Sequence, residues 1–300
     1  MKKKTYLIAL MAMALTLGSC SDNENGLGGE TSKYITVSTS IGNMTRVATD
    51  AKGGQTFEEG DEISVYAWTG APTVAPETSE RVVNNAINKL TNGTWVSTPQ
   101  MLWKNNRDKH YFIGVYPTAA ISDLSAGEYT FDVNKQTESD LLVAVNPDGL
   151  SYSADAQQTV PLTFTHVMAK LAVNLTYKNQ WGGIPTVEKV VVGNAAKEAT
   201  INYLTKVVTP STTAKEDFSL PEITENTKYV SVIIPQEEVT QLTIVIGGKN
   251  FVYDNGTPFK LESGKITTVN LEVGRDEIKL GDVKITDWED GSTFGGEALN

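Results

Sequence analysis

Apolar side chains recur at every second position along this chain. Ile35, Val37, Thr39 and Ile41 alternate with polar neighbours, as do Ile63, Val65 and Ala67, then Leu171, Val173 and Leu175, and then Leu242, Ile244 and Ile246. A period of two puts successive side chains on opposite faces of an extended chain, so the pattern predicts strands with one buried and one wet face. Asn92-Gly93, Asp148-Gly149, Gly247-Gly248 and Asn255-Gly256 punctuate the strands with the positive φ that tight hairpins require. Residues 80–90 form the best helix candidate and read equally well as strand and loop. The spacing of strands and turns favours β-sandwiches, with helix a minor element.

The N-terminus changes the picture. Lys2, Lys3 and Lys4 precede an apolar run over residues 6–17, too short to span a bilayer but long enough for a signal-peptide core. The run ends in Leu17-Gly18-Ser19-Cys20, which resembles the lipobox of bacterial lipoproteins. That resemblance implies removal of residues 1–19 and lipidation of Cys20, the only cysteine. Three acyl chains, at about 0.8 kcal/mol per buried CH2, would hold the mature chain on a membrane surface. Residues 20–32 are polar, acidic and glycine-rich and read as a flexible tether. Their early acidic residues resemble the export signal of lipoproteins displayed on the outer face of the outer membrane in Bacteroidota.

Composition excludes several function classes. The 300 residues carry 25 Lys plus Arg against 36 Asp plus Glu, a net charge of −11, so the chain repels phosphate and no nucleic acid partner is expected. With 40% hydrophobic residues spread along its length, it is not a disordered chain. Its size suggests two domains. The turn-prone Asn146-Pro147-Asp148-Gly149 and the polar stretch after it suggest a boundary between residues 33–158 and 159–300. One Cys forbids an intrachain disulfide, and with only His110 and His166 beside it the usual zinc clusters are out of reach.

No catalytic constellation emerges. His166 reads as a hydrogen-bonded strand residue and His110 as a surface residue. Glu58, Glu59, Asp61 and Glu62 could pose as a carboxylate or calcium site, but they lack the spacing of a calcium loop and read as a solvated face. Trp68, Trp95, Trp103, Trp181 and Trp288 could stack on sugars, yet in a sandwich they are expected as core or edge cover. The G-x-S-x-G, G-x-G-x-x-G and P-loop signatures are missing from the sequence. No enzyme activity, cofactor or metal is expected.

Three stretches carry a family resemblance. They are Phe57-Glu58-Glu59-Gly60-Asp61-Glu62-Ile63-Ser64-Val65-Tyr66-Ala67; Trp103 ahead of Tyr111-Phe112-Ile113-Gly114-Val115-Tyr116-Pro117; and Leu162-Thr163-Phe164-Thr165-His166-Val167-Met168-Ala169-Lys170-Leu171. Ile233-Ile234-Pro235, the Leu261-Glu262-Ser263-Gly264-Lys265 turn and Ile285-Thr286-Asp287-Trp288 follow in order. Together these resemble the fimbrillins of Bacteroidia over nearly the whole mature chain. The resemblance implies an all-β fold of two tandem antiparallel β-sandwich domains, Greek-key and transthyretin-like. It also implies a type V pilus subunit, exported as an outer-membrane lipoprotein and assembled with other pilin subunits at the cell surface.

Within that family Arg46 falls where a trypsin-like protease cuts, freeing Val47 as the new N-terminus. Loss of the first strand would leave unpaired backbone groups as a template for a strand from another subunit. Ile278, Leu280, Val283 and Ile285, within residues 277–288, offer a donor strand bent at Gly281-Asp282. Alternation fits a resident strand of the second sandwich equally well. Two functions therefore stay open: a pilin that polymerises by strand exchange and contributes to adhesion and biofilm, or a monomeric surface lipoprotein that binds glycan or host protein.

Overall fold

The computed structural model describes residues 33–42, 56–153 and 158–288. The first strands are β1 (Thr36–Ile41), β2 (Glu62–Thr69), β3 (Val83–Thr91), β4 (Thr94–Thr98), β5 (His110–Tyr116), β6 (Gly127–Thr130), β7 (Leu142–Leu150) and β8 (Thr159–His166). Next come β9 (Ala169–Tyr177), β10 (Val187–Ala196), β11 (Glu198–Asn202), β12 (Val207–Pro210), β13 (Lys215–Ser219) and β14 (Glu222–Thr224). The chain continues with β15 (Lys228–Ile233), β16 (Gln236–Ile246), β17 (Lys249–Leu261), β18 (Lys265–Val273) and β19 (Ile278–Asp287). Among the described residues one four-residue helix (Gln136–Ser139) and two 3-10 turns (Thr78–Glu80, Asn179–Trp181) interrupt them. The all-β class read from the alternation is the observed one.

Seven strands form one sheet in the order β1-β8-β7-β5-β2-β3-β4. Its two ends approach each other: Ile35 N–H donates to the Met101 carbonyl at 3.0 Å, and the Trp95 indole Nε1 donates to Thr39 Oγ1 at 3.0 Å. The sheet thus curls around a core of Ile35, Val37, Ile63, Val65, Phe112, Leu162 and Phe164. Over the central strands β2, β5 and β7 the other face is covered as well. Tyr66, Trp68, Ile113, Val115 and Val143 face a second, larger core that continues into the later sheets. The β2 burial pattern is therefore nearly continuous, where alternation predicted one solvated face. A strand buried on both faces reads Ser-Val-Tyr-Ala-Trp, because Tyr and Ser keep hydrogen-bond partners: Tyr66 Oη accepts from Ile121 N–H at 2.9 Å and Ser64 Oγ from Ala119 N–H at 3.0 Å.

The second half packs a four-stranded sheet, β13-β10-β16-β17, and a five-stranded sheet, β14-β15-β9-β18-β19, about the larger core, with the small sheet β12-β11-β6 beside them. The halves exchange strands. β8 lies after the expected boundary at residue 158 yet pairs with β1 and β7, whereas β6 lies before it and pairs with β11. In pairing terms the corner at Val167-Met168 divides the chain better than residue 158 does.

Local signals succeeded at some turns and not at others. Asn92-Gly93 and Gly247-Gly248 take positive φ and join β3 to β4 and β16 to β17. Asp148-Gly149 and Asn255-Gly256 instead lie inside β7 and β17. Gly149 shows why: its N–H donates to Asn146 Oδ1 at 3.0 Å and the register of β7 slips beside it, so the pair makes a bulge. Residues 80–90 are the strand alternative, ending in β3.

His110, expected at the surface, is fully buried. It packs edge-on against Trp103, accepts from Lys104 N–H at 3.1 Å through Nε2, and donates through Nδ1 to the Asp108 carbonyl at 3.1 Å. That neutral tautomer is favoured because burial lowers the pKa, with the Asp108 carbonyl pulling the other way. The folded state thus resists a proton that the unfolded chain accepts near pH 6.5. His110 contributes stability that is complete above that pH and is lost as pH falls toward the depressed folded value. Thermal melts of wild type and His110→Gln from pH 7.5 to 5 should show this part of the slope vanish in the variant.

Candidate strand-exchange groove

β1 is the element that the sequence singled out, and its placement is unusual. It is the edge of its sheet and runs parallel to β8 over six register pairs, Thr36 with Thr159 through Ile41 with Phe164, in a sheet whose other pairings are antiparallel. Parallel pairs are slightly less stable per residue. Its neighbour in sequence, β2, sits four places away in the sheet. No hairpin ties β1 to the strand it touches.

Side chains supply much of the attachment. Ile35 and Val37 are buried, and each contributes roughly 1.5–3 kcal/mol by leaving water. Ser38 and Ser40 point outward, with Ser40 Oγ donating to Thr163 Oγ1 at 3.2 Å. The start of β1 is clasped on its outer side, where Trp103 N–H donates to the Lys33 carbonyl at 3.1 Å and Tyr34 bridges Leu102. Toward Ile41 that side opens into a groove of ≈ 370 Å³ lined by Val37, Ile41, Phe57, Leu90 and Trp95 among others.

β8 is built to receive a strand. Val160, Leu162 and Phe164 are buried on one face while Thr159, Pro161 and Thr163 are exposed. β7 pairs only with its last three residues, so Thr159 to Thr163 depend on β1 for their ladder. Pro161, which has no N–H to give, falls in the half that β7 does not pair. Phe57 closes the end of the core, edge-on to Trp95, Tyr116 and Phe164 at centroid distances of 5.3, 5.3 and 5.1 Å. The Tyr116 phenol beneath it is pushed above its usual pKa by burial first and then by the Asp61 carboxylate, to which its hydroxyl donates at 3.4 Å.

Cys20, the tether over residues 20–32, Arg46 and Val47 lie outside the described residues. Ile278, Leu280, Val283 and Ile285 lie in β19, antiparallel to β18 at the edge of the five-stranded sheet, far in sequence from the groove. Gly281 does not end a strand. It is the extra residue of a bulge, because Leu280 pairs Leu271 and Asp282 pairs Asn270. The acidic cluster divides among turn contacts: Glu59 accepts from Asn92 N–H at 2.6 Å, Asp61 from Glu58 N–H at 2.7 Å, and Glu62 pairs with Lys89 at 3.1 Å. Among the described residues no group of three or more His, Cys, Asp or Glu could hold a metal ion. Sequence reasoning missed Phe57 and the clasp at Met101 and Trp103 as parts of the groove, since neither lies in the alternating strands from which it was inferred.

Comparison with known proteins supplies the family. The chain is similar in fold to a candidate cell-adhesion protein from Bacteroides uniformis, with 19% identity and a TM-score of 0.63 over 85% of this chain and 99% of that one. A candidate cell-adhesion protein from Bacteroides ovatus matches at 18% and 0.62 over 85% and 98%, and a fimbrial protein from Bacteroides vulgatus at 13% and 0.50 over 84% and 99%. No curated protein matches. The Fimbrillin-like family model matches residues 45–288, so this chain belongs to that family, whose members associate with other pilin subunits as cell-surface fimbriae.

Proposed function

We propose that the chain is a structural subunit of a type V pilus: an outer-membrane lipoprotein anchored through Cys20, cut after Arg46 by a trypsin-like protease, and polymerised by strand exchange. Adhesion and biofilm formation are the expected outcome. The observation that carries this reading is the topology of β1. A cut between β1 and β2 interrupts no hairpin and no contact among the remaining strands of the sheet. It converts an intramolecular docking into a bimolecular one, so the strand loses the high effective concentration that the linkage supplied. Departure of β1 would bare the β8 ladder and the apolar sites of Ile35 and Val37, a template of the kind filled by strand addition.

The donor in this reading is the C-terminal segment, with Ile278, Leu280, Val283 and Ile285 as its side chains. The alternative, a monomeric lipoprotein that binds glycan or a host protein through exposed Trp, has less support. Trp68, Trp95, Trp103 and Trp288 are buried, and Trp181 donates its Nε1 to the Val273 carbonyl at 2.9 Å.

Limited digestion of purified mature protein with a trypsin-like protease tests the proposal. The first product should begin at Val47, and oligomers should then grow with protein concentration. Arg81 should survive early, because its guanidinium is buried and donates to the carbonyls of Ile121 at 2.6 Å and Ser122 at 2.5 Å. A product that starts at Val47 yet stays monomeric at high concentration would count against strand exchange.

A further inference from the structure

The geometry points to Trp288 as a latch that holds the C-terminal half of β19 in place. Its indole lies parallel to the His166 ring, with centroids 3.9 Å apart and 7° between the planes. Lys170 Nζ stands 4.3 Å from the indole centroid, and since His166 fills one face at that spacing, the ammonium covers the other. His166 is itself fixed by Asp140, whose Oδ1 is 2.8 Å from Nδ1. Trp288 N–H donates to the Gly264 carbonyl at 3.0 Å, and Gly264 N–H to the Met168 carbonyl at 2.8 Å. The slot thus draws on the ends of β8 and β9, the entrance to β7 and the turn before β18. Trp288 inside it is 7% exposed.

Apart from Trp288, the strand that leads to this slot is held by its ladder to β18 and by two exposed polar contacts, the Lys265–Asp287 ion pair and Asn270 Nδ2 donating to Asp282 Oδ1 at 2.6 Å. Exposed pairs of this kind contribute little. Among the described residues β19 pairs with β18 alone. Only Ile278 and Leu280 are half-buried, and every residue from Gly281 to Asp287 is exposed. The bulge keeps Val283 and Ile285 on the same face as Val269 and Thr267, which are buried, yet Val283 is 37% and Ile285 39% exposed. A ladder without side-chain burial is marginal.

The other end is clasped separately. Arg275 N–H donates to Gln180 Oε1 at 3.2 Å, Lys178 pairs with Glu277, and Trp181 holds the Val273 carbonyl. Release of Trp288 therefore frees residues 282–288 and stops at Gly281. The consequence for assembly, that the freed half carries Val283 and Ile285 to another copy, rests on the proposed function. The latch does not.

Hydrogen exchange of the full mature chain tests it. In Trp288→Ala, amides 282–287 should exchange at least tenfold faster, with 278–280 and β18 within twofold of wild type. Trp288→Phe should restore much of the protection. Lys170→Met, which leaves Trp288 in place and removes the cation from its face, should give a smaller change with the same boundary, and stands in if the alanine variant fails to fold. Unchanged exchange at 282–287, or an equal rise through all of β18 and β19, would overturn the latch. If the boundary falls at Gly281 as expected but protease-processed Trp288→Ala polymerises no faster than processed wild type, the latch stands and the donor role of β19 is refuted.

Discussion

Val37→Asp should release β1 from β8 and let the uncut chain assemble without a protease. Val37 is 6% exposed and faces the core beside Ile35 and Val160, so a carboxylate there finds no partner. An unpaired buried charge costs on the order of 3–5 kcal/mol. Ile35 alone, worth roughly 1.5–3 kcal/mol of burial, does not offset that. The strand should therefore leave while the other six strands of its sheet keep their pairings, because β1 shares a ladder only with β8. Size-exclusion chromatography over a range of concentrations reads the result: oligomers of Val37→Asp that wild type forms only after cutting. Ser38→Asp is the control, since Ser38 is exposed on the same strand and its substitution should move stability by no more than about 0.5 kcal/mol. If Val37→Asp gives only a destabilised monomer, β1 is a structural strand and nothing more.

Gly114→Ala should destabilise the same region from within the core that β1 helps to cover. Gly114 lies in the central strand β5, between Val65 of β2 and Ala144 of β7. A Cβ there would stand 2.6 Å from Phe164 Cζ and 3.1 Å from Leu162 Cδ1. Both side chains are buried anchors of β8. Overpacking of this kind costs about 1–3 kcal/mol. The loss should appear as earlier melting and as faster exchange along β8 and β1. A second substitution, Phe164→Leu, removes the ring atom in the way, so the double variant should be more stable than the sum of the single effects by more than about 0.5 kcal/mol. Strict additivity would show that the clash is absorbed elsewhere.

Much of this was legible from residues alone. The period of two located β1, β2, β9 and β16, and apart from the half-buried Ile41 the Val and Ile positions it picked out are buried. What failed had physical causes. Alternation reports which residues share a face, but it cannot say what covers the other face, so the second burial of Tyr66 and Trp68 was invisible. Asn-Gly and Asp-Gly pairs report positive φ, which serves a bulge as well as a hairpin, as Gly149 shows. His110 follows the charged Asp108 and Lys109, yet its ring is drawn inward by Trp103 and two backbone bonds. The boundary at 158 followed composition, and composition is blind to a strand such as β8 that returns to complete an earlier sheet. Parallel pairing of β1 with β8, on which the proposed function turns, leaves no local trace at all.

Hydrogen exchange of the β8 amides in three states would test the central proposal most directly. In the uncut chain, amides between Thr159 and Phe164 that bond to β1 should be protected. They should exchange fast in monomer cut after Arg46 and separated from its N-terminal fragment, and be protected again in assembled filaments whose subunits begin at Val47. Filaments in which β8 stays as exposed as in the cut monomer would contradict strand exchange at this groove.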